Sequence, residues 1–412
     1  ECHVERSQNP CTPLEPIVRS TVPLAAAAVL LGLTACAPAE EPDPVPVLEL
    51  VTDALAVPND LADLGDGRML ISDQVGRINV LEDGEILAAP FLDLTDTVSG
   101  PDRSPELGLS GFAPHPDFAE NGRVFVYYTK VTDPDAPSDL GRTGVLAEFT
   151  LDAAGTALDR ASERVLLLHY GTNDHIGGHM TFDDRGLLYL GLGSPTFAGL
   201  AQDPFDLHGK VIRIDVDGEA PYAIPADNPF ADGAAGAPEV YTYGHRNPWR
   251  LHWDAEVGLL NPEPMWSDKA QEVNLAAPGA NFGYPQDTVE GRCYDGDAAA
   301  PLPVCTEPYT PPAVEYGPDT GAICSGAVVY RGSELPQFEG KAIVADWAGT
   351  VIVAEPGEGR WSHRVLDLPF PDEAPLVGRL WSVDTDAEGE VYLMTSELTP
   401  EGAGAVYRLT AA

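Results

Sequence analysis

Six times after Val47, an apolar strand-like run leads to a polar residue, a glycine and a second alternating run. The glycines are Gly67, Gly122, Gly186, Gly258, Gly340 and Gly389, in kernels such as Asp66-Gly67-Arg-Met-Leu-Ile71, Arg185-Gly186-Leu-Leu-Tyr-Leu190 and Glu388-Gly389-Glu-Val-Tyr-Leu393. A glycine there supplies the φ > 0 that a tight strand connection needs. Successive glycines are 55, 64, 72, 82 and 49 residues apart, so the unit repeats while its loops vary in length. A repeated multi-strand unit cannot bury both its faces alone, and stacking around an axis solves that problem. The pattern therefore predicts an all-β chain: a six-bladed β-propeller over 47–412 with long loops on one face. Val47-Leu-Glu-Leu-Val51 is expected to complete the last blade beside Gly404-Ala-Val-Tyr-Arg-Leu409 and close the ring. A pair of β-sandwiches is the competing architecture.

The segment before the repeat reads differently. Val22 to Ala35 is an apolar run of 14 residues preceded by Arg6 and Arg19. It is shorter than the roughly 20 residues that span a bilayer, and it suits the core of a secretion signal. It ends in Leu33-Thr34-Ala35-Cys36, which resembles a bacterial lipobox, so 1–35 reads as a leader and Cys36 as the lipidated residue. Residues 36–46, rich in Pro, Glu and Asp, read as a disordered tether. The expected location is the bacterial cell envelope, as an exported lipoprotein in the periplasm or at the cell surface. Oxidising conditions there suit a disulfide between Cys293 and Cys305, which leaves Cys324 as a buried thiol. With 23 basic and 65 acidic residues, the chain has a formal net charge of −42. That charge repels phosphate backbones and anionic headgroups, which argues against nucleic acid and restricts membrane contact to the lipid anchor.

Propellers carry function on the loops at the mouth of the axial channel. Three polar clusters interrupt the repeats. In Asn173-Asp174-His175-Ile-Gly-Gly-His179 a neutral imidazole beside a carboxylate could take an alcohol proton, or a histidine could cap a turn. The two histidines would suit zinc only on a helix, which Gly177-Gly178 disfavours. In Tyr243-Gly-His-Arg246-Asn247-Pro-Trp-Arg250 the guanidinium and amide could hold a carboxylate- or quinone-bearing ligand, or Arg246 could pair with a structural acid. Glu272 of Gln271-Glu-Val-Asn274, with the carbonyls of Gly279-Ala-Asn-Phe282-Gly283, offers hard oxygens that calcium accepts, or Glu272 is a solvated strand residue.

At these residues the chain resembles the soluble, pyrroloquinoline-quinone-dependent glucose/sorbosone and aldose sugar dehydrogenases, which are six-bladed propellers. The likeness runs from about Asn59 to Leu409. It is carried by Glu106-Leu-Gly-Leu-Ser-Gly-Phe-Ala-Pro-His-Pro-Asp-Phe118, Asp174-His175, Gly244-His-Arg-Asn-Pro248, Glu272-Val-Asn, Asn281-Phe-Gly-Tyr-Pro285 and Val329-Tyr-Arg-Gly332.

The resemblance implies oxidation of an aldose at C1, with His175 accepting the hydroxyl proton and hydride passing to the quinone. It implies Arg246 polarising a quinone oxygen, Asn247 and Arg379 binding the cofactor, and Asp174 and Glu106 lining the sugar site. Glu272 and the Phe282 carbonyl match a structural calcium site, and the electrons would leave to an external acceptor. The chain departs from the family at three positions. Ala348 stands where the family has a cofactor-binding Lys, Trp381 replaces one of two arginines, and Ser194 replaces the Asp that supports the histidine. These departures define the alternative, a non-catalytic propeller that binds carbohydrate or protein.

Overall fold

The computed structural model describes residues 42–412 apart from 100–103, 105, 131–140, 172–173, 195–198, 266, 268, 285–287, 290–291, 294–308 and 372–374. The expected leader, Cys36 and Cys305 lie outside the described residues, and so does the side chain of Cys293.

Six antiparallel sheets follow one another in chain order. Their innermost strands are Pro58–Asp63, Leu109–Pro114, Gly177–Phe182, His252–Asp254, Cys324–Val329 and Arg379–Thr385, which open blades one to six. Each innermost strand packs on that of the next blade, and the sixth packs on the first, so the ring is closed. The last blade is made from both ends of the domain. Pro46–Leu55 pairs antiparallel with Gly404–Ala411, in a register that sets Leu48 opposite Leu409. The expected tether therefore stops short of residue 46, because the Pro44 carbonyl accepts a Gln337 amide at 2.7 Å and the Val45 carbonyl accepts Ala412 N–H at 2.9 Å.

The repeat has one physical cause. All six kernel glycines sit in the connection from the innermost to the second strand, with φ of 93°, 62°, 76°, 100°, 73° and 81°. The apolar runs that follow are buried on both sides. In Arg123–Lys130, Val124, Val126 and Tyr128 enter the core between blades one and two, while Phe125 and Tyr127 enter the core between two and three. Six such cores, one per pair of neighbouring blades, hold the ring. Truncating one of these side chains to alanine costs about 2–5 kcal/mol.

One irregularity recurs where function is expected. The pairing of innermost to second strand slips near its start in five blades, at Pro58/Asp60, Leu109/Gly111, Gly177/Met180, Cys324/Gly326 and Leu380/Ser382. Such bulges re-aim the local side chain and end regular pairing. Here they cluster at the end of the channel where the innermost strands begin.

Candidate active site

The residues of interest come from four blades but share one position, just before or at the start of an innermost strand. Glu106 precedes Leu109, His175 precedes Gly177, Arg246 to Trp249 precede His252, and Trp381 lies two residues into its strand. The ring therefore gathers them at one end. A cavity of about 490 Å³, partly open to solvent, is walled there by Glu106, Arg246, Asn247, Trp249, Trp347 and Trp381, with Cys324 and Ser325 among its other lining residues.

His175 is held from every side. Its backbone has φ 53°, unusual for a residue with a Cβ, and its N–H donates to the Glu106 carboxylate. The imidazole is 3% exposed, and Nδ1 lies 2.8 Å from the Ser194 carbonyl oxygen. A carbonyl only accepts, so Nδ1 carries the proton and Nε2 keeps a bare lone pair. Burial, helped by the positive charge of Arg246, holds the imidazole down to about 4 against the opposing charge of Asp174, so it is neutral at pH 7. The backbone of Ser194 thus fixes the orientation and tautomer of the imidazole. Asp174 is half-buried beside this histidine and Glu106.

Arg246 and Asn247 are fixed by a carboxylate below them. Glu263 Oε1 accepts their backbone N–H groups at 2.9 and 2.5 Å, and Glu263 Oε2 lies 3.1 Å from His245 Nδ1. Arg246 Nη1 donates to the Pro264 carbonyl at 2.8 Å. Asn247 ties the loops together: Oδ1 accepts Gly177 N–H at 3.0 Å and Nδ2 reaches Glu106 Oε2 at 3.4 Å. Only glycine fits at 193, where a Cβ would stand 2.1 Å from the His175 carbonyl oxygen and 2.6 Å from Asn247 Oδ1. Burial pushes the Glu106 carboxyl up to about 7, with Asp174 adding to the rise, while Arg246 and the His175 N–H oppose it. His175 is not itself among the residues lining the cavity, but it lies beside Glu106 and Arg246, which are. A base, a guanidinium and a carboxyl near its own midpoint placed together suit removal of a proton from a polar, uncharged substrate.

Other expected residues are elsewhere. Arg379 opens its strand with an exposed side chain and is not among the residues lining the cavity; Trp381, the residue at the register slip, takes that place. Glu272 is buried in Gln271–Ala276, opposite Glu263 on one side and Glu315 on the other. Burial and those two carboxylates raise its carboxyl well above the usual range. It is therefore not a solvated strand residue. The Phe282 ring packs on His245 at 5.0 Å. Among the described residues the side-chain group with metal-ligand spacing is not this one but Asp60, His179 and Asp384, farther along the channel. Cys324 is a buried free thiol, as expected.

Sequence reasoning missed the tryptophan wall and the Ser194 carbonyl. A backbone acceptor leaves no trace in residue type, and Trp249, Trp347 and Trp381 belong to three separate segments.

The fold and this mouth define a six-bladed propeller with an unprotonated imidazole nitrogen beside a half-buried guanidinium. A sequence model of the family described as Glucose / Sorbosone dehydrogenase matches residues 55–408, and the chain belongs to that family of sugar oxidoreductases. It is 28% identical over 367 residues to aldose sugar dehydrogenase YliI of Escherichia coli, covering 86% of this chain and 91% of that one. It is 26% identical over 392 residues to mouse Hedgehog-interacting protein, covering 87% of this chain and only 52% of that one, about half its length. The PQQ-bound aldose sugar dehydrogenase of Streptomyces coelicolor superposes with a TM-score of 0.65 at 22% identity, over 90% of this chain and all of the other.

Proposed function

We propose that the protein is an exported sugar dehydrogenase that uses pyrroloquinoline quinone to oxidise an aldose at C1, with electrons leaving to an external acceptor. The observation that carries this reading is the Nδ1–H bond of His175 to Ser194, which leaves Nε2 as a neutral base next to Arg246. His175 Nε2 accepts the proton of the C1 hydroxyl. Arg246 stabilises negative charge developing opposite it. Asp174 and Glu106 take hydroxyls of the sugar, and Glu106 near its midpoint can accept or donate.

The cavity fits a planar quinone in part through its donors. Trp381 Nε1 and Ser325 Oγ are buried in its wall without a hydrogen-bond partner, next to Arg246 and Asn247. Those residues would hold the cofactor, which supplies a hydride-accepting carbon when bound. Glu272, with the Phe282 carbonyl, is our assignment for calcium, since a divalent ion would relieve the repulsion from Glu263 and Glu315. Lipidation at Cys36 and a Cys293–Cys305 disulfide belong to the same proposal; detergent-phase partitioning that Cys36→Ser abolishes, and thiol counts before and after reduction, test them.

A second reading, a binding propeller without catalysis, is favoured by the scarcity of cations: among the described residues that line the cavity, Arg246 is the one Lys or Arg. Reconstitution with the quinone and calcium, followed by dye reduction with a panel of aldoses, separates the two. Sugar-dependent reduction supports the first; sugar binding without reduction, at saturating quinone, supports the second.

A further inference from the structure

Three indoles form one connected wall of the cavity. Trp381 contacts Trp249 edge-on, with ring centroids 5.3 Å apart at 61°, and Trp347 on its other side at 5.5 Å and 38°. Trp381 is 2% exposed, yet its Nε1–H has no acceptor. A buried indole N–H normally finds a partner. Beside it, the Ser325 hydroxyl is also buried and unpartnered. Two orphaned donors beside three aromatic rings describe a site for a flat ring that carries acceptor oxygens. The charges describe the same thing by contrast. Arg246 already spends one nitrogen on the Pro264 carbonyl, and Glu106 opposes any further anion in the same wall.

We infer that this chain holds its quinone by aromatic packing on Trp381, Trp249 and Trp347 and by hydrogen bonds from Trp381 Nε1 and Ser325 Oγ, in place of ion pairs to ring carboxylates. The ligand class is therefore a planar ortho-quinone, with carboxylates dispensable. This rests on the quinone reading above but has consequences of its own. Ion-paired binding of a trianion weakens as salt shortens the Debye length, whereas packing does not. Affinity should therefore change less than about threefold between low and high salt.

Isothermal titration calorimetry on the full chain, with calcium present, tests this using pyrroloquinoline quinone and 1,10-phenanthroline-5,6-dione, which has no carboxylates. The expected result is dissociation constants within about tenfold of each other, both nearly independent of sodium chloride, and both weakened about tenfold or more in Trp381→Ala. Trp381→Phe, which keeps the ring and loses the N–H, should recover part of that loss and guards against a folding defect in the alanine variant. Tight, steeply salt-dependent binding of the tricarboxylate with no binding of the dione overturns the inference while keeping the quinone reading. Binding of neither quinone overturns both.

Discussion

Two histidines four residues apart, His175 and His179, are both buried, at 3% and 5% exposure, and each lies near carboxylates and an arginine. Their surroundings look alike in composition: Glu106, Asp174 and Arg246 for the first, Asp60, Asp384 and Arg250 for the second. Their second ring nitrogens separate them. His175 Nδ1 donates to a carbonyl, so Nε2 is an acceptor. His179 Nδ1 accepts the Leu251 backbone N–H at 3.1 Å, so its proton sits on Nε2, which is given to Asp60 at 3.2 Å. One imidazole can take a proton on Nε2, whereas in the other both ring nitrogens are already engaged. The same assignment disqualifies His179 as a metal ligand, although its Nε2 and the oxygens of Asp60 and Asp384 lie within 4.8 Å of one another. A backbone neighbour, rather than the charges nearby, decides what each histidine can do.

The largest test of this contrast is kinetic. In the reconstituted protein, His175→Ala should lower dye reduction by about 10²–10⁴-fold, the usual worth of a general base, with the fold intact by circular dichroism. His179→Ala should change the rate less than about tenfold; an equal loss in both would break the comparison. Stability should respond in the opposite order. His179→Ala leaves the Leu251 N–H and Asp60 short of a partner and should cost about 1–3 kcal/mol in urea unfolding. Zinc should not raise the melting temperature of the wild-type protein, and a clear rise would restore His179 as a ligand.

The pH dependence sharpens the chemical side. Because His175 titrates near 4, the rate should fall on the acid side only as pH drops through about 4, well below the ordinary 6.5 of imidazole. Its linkage makes the folded state lose stability as pH falls from 6.5 toward 4. Glu106 has the opposite sign. Its raised value favours the fold below 4.5 and loses that contribution as pH rises through about 7, so Glu106→Gln should flatten the decline of the melting temperature between pH 4.5 and about 7. The smallest effect is expected at Asp384. Burial and the neighbouring charge of Asp60 raise its carboxyl well above the usual range, so Asp384→Asn, which removes that repulsion, should cost less than about 1 kcal/mol. Asp60→Asn keeps an acceptor oxygen for only one of the Leu61 and Phe112 N–H groups, which bond separate carboxylate oxygens at 2.9 and 2.8 Å, and should cost more.

The ring was legible because one turn glycine recurs at the same place in every blade and because strands buried on both faces read as continuous apolar runs. Asp174, His175, Arg246 and Asn247 were legible as candidates because their polar clusters interrupt the repeats, where a propeller carries its functional loops. Residue type misled at three sites. Ser194 reads as a lost carboxylate, but its carbonyl does the work. Arg379 reads as a cofactor contact, but it is exposed, and the register slip at Leu380/Ser382 hands the cavity wall to Trp381. His179 reads as a companion of His175, yet Gly177 and Gly178, at φ 69° and 115°, start a strand that carries it into a different hydrogen-bond network.

The sixth blade has a consequence for how such a chain reaches its final state. Its outer edge is the segment Pro46–Leu55, which must travel back to meet Gly404–Ala411 from the far end of the domain. A copy cleaved or truncated before Leu55 would display Gly404–Ala411 as an unpaired β edge, a template on which a neighbouring polypeptide can add. Nicking at this seam should promote strand-swapped or aggregated assemblies relative to the intact protein, and supplying the missing ten-residue segment as a free peptide should reverse that.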